Sequence, residues 1–247
     1  MKTGWPLTVG RSPRTGAALV LLFFAASAVA GNYDDEVRRQ WGQKIKQSSD
    51  ALEHGDYKAS LRIADRLIGE MEEMLGPGDS GAYVFGIVVT HKALANAGLG
   101  NRDDALWYWH TALALFPRLA EADLSMFGEA GKFLKEHPPE ATRDSATNRA
   151  VEATTPNVTP PRVLKHVEPH YPAGARTFDV AGILIVEVII DKAGRVTSPR
   201  IRRALPAATL SYAALEAVKQ WRFEPGRIGG EAVDVLFNLT VNFKLRP

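Results

Sequence analysis

From Val233 to Phe243 apolar residues fall on every second position. Val233, Val235, Phe237, Leu239, Val241 and Phe243 alternate with Asp234, Asn238, Thr240 and Asn242, and Leu236 is the exception. A period of two belongs to an extended strand with one dry and one wet face. It constrains the fold strongly, because a one-residue slip would turn the whole apolar set into water. Upstream, the β-branched run Ile183 to Ile190, bounded by Gly182 and Asp191, predicts a second strand. Asp191-Lys192-Ala193-Gly194 predicts a turn in which Gly194 takes positive φ. Arg195-Val196-Thr197 then starts a returning strand that Pro199 is expected to interrupt. Between Thr209 and Trp221, the residues Leu210, Ala214, Ala217, Val218 and Trp221 share one helix face wide enough to cover a sheet. Residues 161–247 are therefore expected to form a small antiparallel sheet with a packed helix.

Residues 31–138 carry a different period. Ile45, Leu52, Ala59, Ile63, Leu67 and Met71 fall at helical spacing, with a Gly55 junction between Leu52 and Ala59. Gly76 to Gly81 predicts a loop, Tyr83 to Ala97 a helix, and Asp103 to Phe116 another that ends before Pro117. A last helix reaches to about Leu134, short of Pro138-Pro139. Gly100, Ala105, Trp109, Ala112 and Pro117 resemble the second half of a tetratricopeptide repeat, with small residues where two helices touch. The offset from the related Gly55 segment is 45 residues, not the repeat's usual 34. Helical hairpins of this kind stack, and their groove takes a protein partner. The fold class expected is two-domain α+β: all-α TPR-like hairpins first, then the sheet with its helix.

Two further segments frame these domains. Residues 1–30 hold Lys2, Arg11 and Arg14, no acid, and an apolar run from Gly16 that closes on Ala28-Val29-Ala30. That is the pattern of a signal peptide, cleaved after Ala30 with Ala28 as the other small residue of the site. The run is shorter than the roughly 20 residues of a permanent membrane helix. The expected location is the periplasm; a retained leader would place the chain at the inner membrane, on its periplasmic side. Residues 139–160 read as a Pro/Thr/Ala-rich linker with a reach of roughly 70–80 Å. Net charge divides along the chain: residues 31–138 hold 12 basic and 17 acidic residues, and residues 161–247 hold 13 and 8. Opposite signs allow the halves to attract each other. A scattered excess of this size gives no case for nucleic acid.

The C-terminal motifs, in order, are Tyr171-Pro172, the strand ending in Asp191-Lys192-Ala193-Gly194-Arg195-Val196, and Trp221-Arg222-Phe223-Glu224-Pro225. This order resembles the C-terminal domain of the TonB family, periplasmic modules that grip outer-membrane receptors. The resemblance implies that an extended receptor peptide, the TonB box, docks near Glu168, Pro169, His170, Tyr171 and Pro172. It also implies that the peptide pairs with the last strand, through Val233, Val235, Phe237, Leu239 and Val241. Trp221, Phe223 and Pro225 are expected in the core and its turns. The implied partner is an outer-membrane TonB-dependent receptor or another extended peptide; a partner for the helical domain and a homodimer stay open. An energy-transducing TonB resembles a protein with an N-terminal helix bearing a His, which Gly16 to Ala30 lacks. The expected function is thus an exported adaptor that captures an extended peptide by strand addition. The alternatives are an anchored energy transducer coupled to the proton motive force and a purely structural envelope protein.

Nothing in the chain points to catalysis. There is no cysteine, no G-x-S-x-G serine, and no Gly-Lys-Ser/Thr after the glycines near Gly76. His166 and His170 flank Glu168, but Pro169 denies them the helix that would align two imidazoles on a metal. No enzyme activity, cofactor or metal is expected.

Overall fold

The computed structural model describes residues 35–139 and 150–245. The expected signal peptide, with Ala28 and Ala30, lies outside the described residues. Helices α1 (Asp35–Glu53), α2 (Tyr57–Met74), α3 (Asp79–Gly98) and α4 (Arg102–Leu115) come first. Two 3-10 turns and α5 (Gly128–Glu136) complete the helical part. The junctions are glycine-made: Gly55 and Gly100 hold φ of +73° and +80°, the left-handed region that other residues avoid. Asp56 caps α2 by accepting the Ala59 N–H at 3.0 Å, which satisfies one orphan donor of the first turn. Helix α3 begins at Asp79, so the expected Gly76 to Gly81 loop is shorter than its glycines imply.

Consecutive helices stack in order, α1 on α2, α2 on α3 and α3 on α4. Ala105 and Ala112 are fully buried where α4 meets its neighbours, with Trp109 beside them, and Pro117 opens a 3-10 turn just past the helix. A polar thread crosses the stack: Ser60 and Ser48 hydroxyls lie 2.9 Å apart, and His91 Nδ1 is 3.1 Å from Ser48 Oγ. Burial pushes His91 down to about 4, so the imidazole is neutral at physiological pH.

The remainder reads β1 (Val151–Glu152), β2 (Val158–Thr159), β3 (Arg162–Lys165), α6 (Ala173–Thr177), β4 (Gly182–Ile190), β5 (Val196–Arg203), α7 (Ala208–Val218), β6 (Arg222–Glu224), β7 (Arg227–Ile228), β8 (Glu231–Ala232) and β9 (Val235–Phe243). The main sheet has the order β1-β9-β4-β5, with β4 antiparallel to both neighbours. Leu184, Val186, Val188 and Ile190 of β4 face Val241, Leu239, Phe237 and Val235 of β9 on the dry side. Each such apolar side chain, removed from water, contributes roughly 1.5–3 kcal/mol. The alternation starts one step later than its sequence reading: Val233 sits before β9, its N–H donating to the Gly226 carbonyl.

Two expectations change. Pro199 does not interrupt the returning strand; it lies inside β5. β5 is a sheet edge, where a missing N–H costs no ladder bond, and a register shift with Ser198 at φ +48° absorbs the bend. Of the linker expected over 139–160, residues 140–149 lie outside the described residues, while Val151 and Glu152 pair with β9 and Val158 and Thr159 with β7.

The two domains share one core. Helix α7 packs on β4 and β5, and also on α3 and α4. Leu210, Ala214, Ala217 and Val218 are buried as the helix-face pattern implies, but Tyr212 is buried as well. Tyr212 meets the Phe85 ring edge-on at 5.1 Å, and Tyr108 Oη donates to Glu216 at 3.4 Å. Lys219 and Asp104 pair at 2.7 Å, Arg195 and Asp103 at 3.3 Å. In both ion pairs the acid comes from the acidic half and the base from the basic half. Gly174 lets α6 approach the end of α2, since a Cβ there would stand 2.5 Å from the Leu75 carbonyl oxygen.

Because the core is continuous, far-UV circular dichroism and tryptophan fluorescence should report one coincident urea transition for both domains. Gly174→Ala should lower stability by about 1–3 kcal/mol through the backbone clash. Two separate transitions, or no loss in the variant, would show that the domains unfold independently.

Candidate functional site

A groove with a volume of about 990 Å³ runs beside the last half of β9. One wall is the strand itself, with Thr240, Val241, Asn242 and Phe243, and the other is made by His166, Glu168, Pro169, Tyr171 and Trp221. Local contacts hold the second wall in place. Trp221 Nε1 donates to the Val167 carbonyl at 2.9 Å, and the His166 ring sits 4.2 Å from the indole. Tyr171 stands edge-on to Phe243 at 5.5 Å, and its hydroxyl donates to the Val180 carbonyl. The Arg176 guanidinium lies 5.4 Å from the Tyr171 ring centroid.

The direction of the β9 backbone decides what this wall offers. Val151 N–H donates to the Asp234 carbonyl and Ala153 N–H to the Leu236 carbonyl, both on the side away from β4. Strand groups alternate in direction with the side chains, so the outward N–H and C=O groups farther along belong to Asn238, Thr240 and Asn242. β1 ends before these positions. The outward edge of β9 from Asn238 onward carries no partner strand among the described residues. An unpaired edge of this kind is a template for another extended chain.

The opposite edge of the sheet is closed. Helix α4 packs along β5, beside a cleft of about 460 Å³ lined by Asp103, Trp107, Arg195, Lys219 and Arg222.

The residues named from sequence divide accordingly. Glu168, Pro169 and Tyr171 line the groove. Pro172 is buried beneath it and His170 turns away, its Nε2 meeting Glu72 Oε1 of α2 at 2.8 Å. The side chains of Val235, Leu239 and Val241 are core, Phe237 is packed against it, and their backbone groups face β4. Phe223 is core, Pro225 is half-buried, and Trp221, expected only as core, also forms groove wall. Asn238, Thr240 and Asn242 were present in the sequence as the wet partners of the alternation; only the placement of β4 on one side shows that their backbone is the one left open.

The comparisons with known proteins meet this geometry at one place. Residues 167–245 match the family model of the Gram-negative bacterial TonB protein C-terminal domain. The chain is also 31% identical to Protein TonB of Yersinia enterocolitica over 110 residues, 43% of either chain. It is 32% identical to Protein TonB of Escherichia coli K12 over 99 residues, 40% of this chain and 41% of that one. Against Protein TonB of Vibrio cholerae the figures are 31% over 86 residues and 35% of either chain. The matched stretch spans about two fifths of the length of the first two relatives. Both groove walls fall within the TonB-like match except His166, one residue upstream.

The His170–Glu72 contact ties the groove wall to the helical domain and responds to pH. The hydrogen bond and charge of Glu72 raise His170 above its ordinary value near 6.5, against a smaller opposing effect of burial. A raised folded value means that the contact stabilises fully below the unfolded value and is lost as pH rises through the folded one. An NMR titration of the His170 ring should give a midpoint above 6.5 that drops in Glu72→Gln; an unchanged midpoint would remove the contact from solution.

Proposed function

We propose that the chain works in TonB-dependent transport, as an energy-transducer-type envelope protein whose TonB-like domain contacts an outer-membrane receptor. The carrying observation is the open β9 edge beside an aromatic-walled groove, inside a domain matched to the TonB C-terminal family. Receptor contact follows from strand addition: an extended receptor segment lies along Asn238, Thr240 and Asn242 and exchanges backbone hydrogen bonds with them. Its alternate side chains then enter the groove of Tyr171, Trp221 and His166. Since β5 is covered by α4, one edge is left to read, which makes the docking single-sided. In this reading the helical domain is a rigid mount that carries the TonB-like domain and ties its groove wall through His170.

The transducer reading requires a link to the inner membrane, and the adaptor reading requires a free periplasmic chain. No described helix is long and apolar enough to cross a membrane; the two readings part at the apolar run from Gly16 to Ala30. Intact mass measured on separated membrane and periplasmic fractions decides it. A membrane-bound chain that keeps its leader supports the transducer; a periplasmic chain beginning at Gly31 returns the protein to an adaptor.

Capture itself has a sharper test. Thr240→Pro removes an outward N–H while leaving the β4 ladder intact, a position where proline is tolerated. It should abolish binding of synthetic peptides that copy the periplasm-facing segments of the host's receptors, with the thermal midpoint little changed. Leu239→Pro, whose N–H faces β4, should instead unfold the domain. Unaltered peptide affinity in a folded Thr240→Pro protein would sink strand addition.

A further inference from the structure

Strand β1 occupies the same edge of β9 that the proposed peptide would use. It is two residues long and runs parallel to β9, in the register Val151 to Val235 and Glu152 to Leu236. Its grip is almost wholly backbone: Val151 N–H donates to Asp234 at 2.9 Å and Ala153 N–H to Leu236 at 3.3 Å. Val151 is only half-buried and Glu152 is exposed, so little apolar surface leaves water when β1 docks. The chain beyond β1 is anchored separately. A turn through Asn157, at φ +67°, leads into β2, which pairs with β7 in a different sheet. Release of β1 therefore need not disturb β2 or the core.

We propose that β1 is a removable cover on the β9 edge, which shortens the reading surface to the stretch from Asn238 and which a captured strand displaces. The capture half of this statement rests on the strand-addition reading above; the detachment half does not. With β1 in place, an incoming strand meets three outward residues, Asn238, Thr240 and Asn242. With β1 gone, the carbonyls of Asp234 and Leu236 join them, and the edge is open along the whole of β9. A segment tethered beside its site holds a high effective concentration. The cover therefore weakens binding of short or poorly matched strands and is overcome only by a partner that uses the full length. This is selection through a competitor built into the chain.

Val151→Pro combined with Ala153→Pro deletes both donors of β1 and touches no group of the core. Amide exchange followed by NMR reads the detachment. In the unsubstituted chain, the Leu236 N–H, on the outward side, should exchange through a local opening with little dependence on denaturant. In the double variant that amide should exchange at least roughly tenfold faster, while the Phe237 and Leu239 amides, which face β4, keep their protection. Exchange of Leu236 only through global unfolding, or a loss of protection along the whole of β4 and β9 in the variant, would make β1 a structural strand and overturn the proposal. The same receptor-segment peptides, titrated by calorimetry, should bind the double variant roughly tenfold more tightly, equivalent to about 1.4 kcal/mol. Equal affinity for the two chains would overturn displacement. If no peptide binds either chain, the strand-addition reading fails and with it displacement, while the exchange data still decide whether β1 detaches.

Discussion

Helix α7 lies between the sheet and the helical stack, and most of its residues are buried. Through Leu210, Ala214, Ala217 and Val218 it carries the apolar face that a small open sheet needs. Through Tyr212, Glu216 and Lys219, spaced four and three residues apart, it presents a second face to α3 and α4. That second face is polar and yet enclosed, which is costly unless the charges are answered. They are answered in part. Lys92 and Lys219 lie over the Tyr108 ring, 4.3 and 4.2 Å from its centroid, and both favour the charged form of Glu216. Burial nevertheless raises the Glu216 carboxyl above its ordinary value and lifts the Tyr108 and Tyr212 hydroxyls too. The shared core that joins the two domains thus also carries a specific arrangement of charges and rings, which fixes how they meet.

From that junction the placement of the working edge follows. Docking of α7 brings α4 against β5 and closes one side of the sheet. It also goes with α2 lying beside α6, where Gly174 nears the Leu75 backbone, and beside the segment before α6, where His170 reaches Glu72. The covered β5 edge and the tie between the groove wall and α2 therefore go together with this packing. The pairing is selective at the level of charge as well, since acidic residues of the helical half meet basic residues of the C-terminal half. Surface ion pairs of this sort contribute little singly; here they fix orientation around a buried helix.

The open half of β9 poses an ordinary problem for a sheet protein, because an unpaired edge invites association. Along this edge the outward residues are Asn238, Thr240 and Asn242, polar side chains on the wet face, and the neighbouring stretch is occupied by β1. The groove beside it is aromatic on one wall, so a strand added as proposed would gain both ladder bonds and side-chain burial. Such a combination supports recognition of extended chain by shape and backbone, with no catalytic group required.

The sequence by itself determined the elements whose signal is local. Alternation predicted β9, β-branching predicted β4, glycines marked the α1–α2 and α3–α4 junctions, and the helix period exposed the sheet-facing side of α7. It also carried the ordered motifs of a TonB-like domain and the opposite charges of the two halves. Periodicity reports only which residues avoid water, and so it could not say what covers a polar face. The period picked out only the sheet-facing residues of α7, and only the tertiary structure decided that α3 and α4 lie against Tyr212, Glu216 and Lys219. The same holds for Pro199, which reads as a strand breaker until β5 is known to be an edge. It holds for β9 as well: the apolar residues were legible, but which of its backbone groups remain unpaired depends on which side β4 lies and how far β1 reaches. Hydrogen-bond direction is a property of the assembled sheet, and no pattern of side chains encodes it.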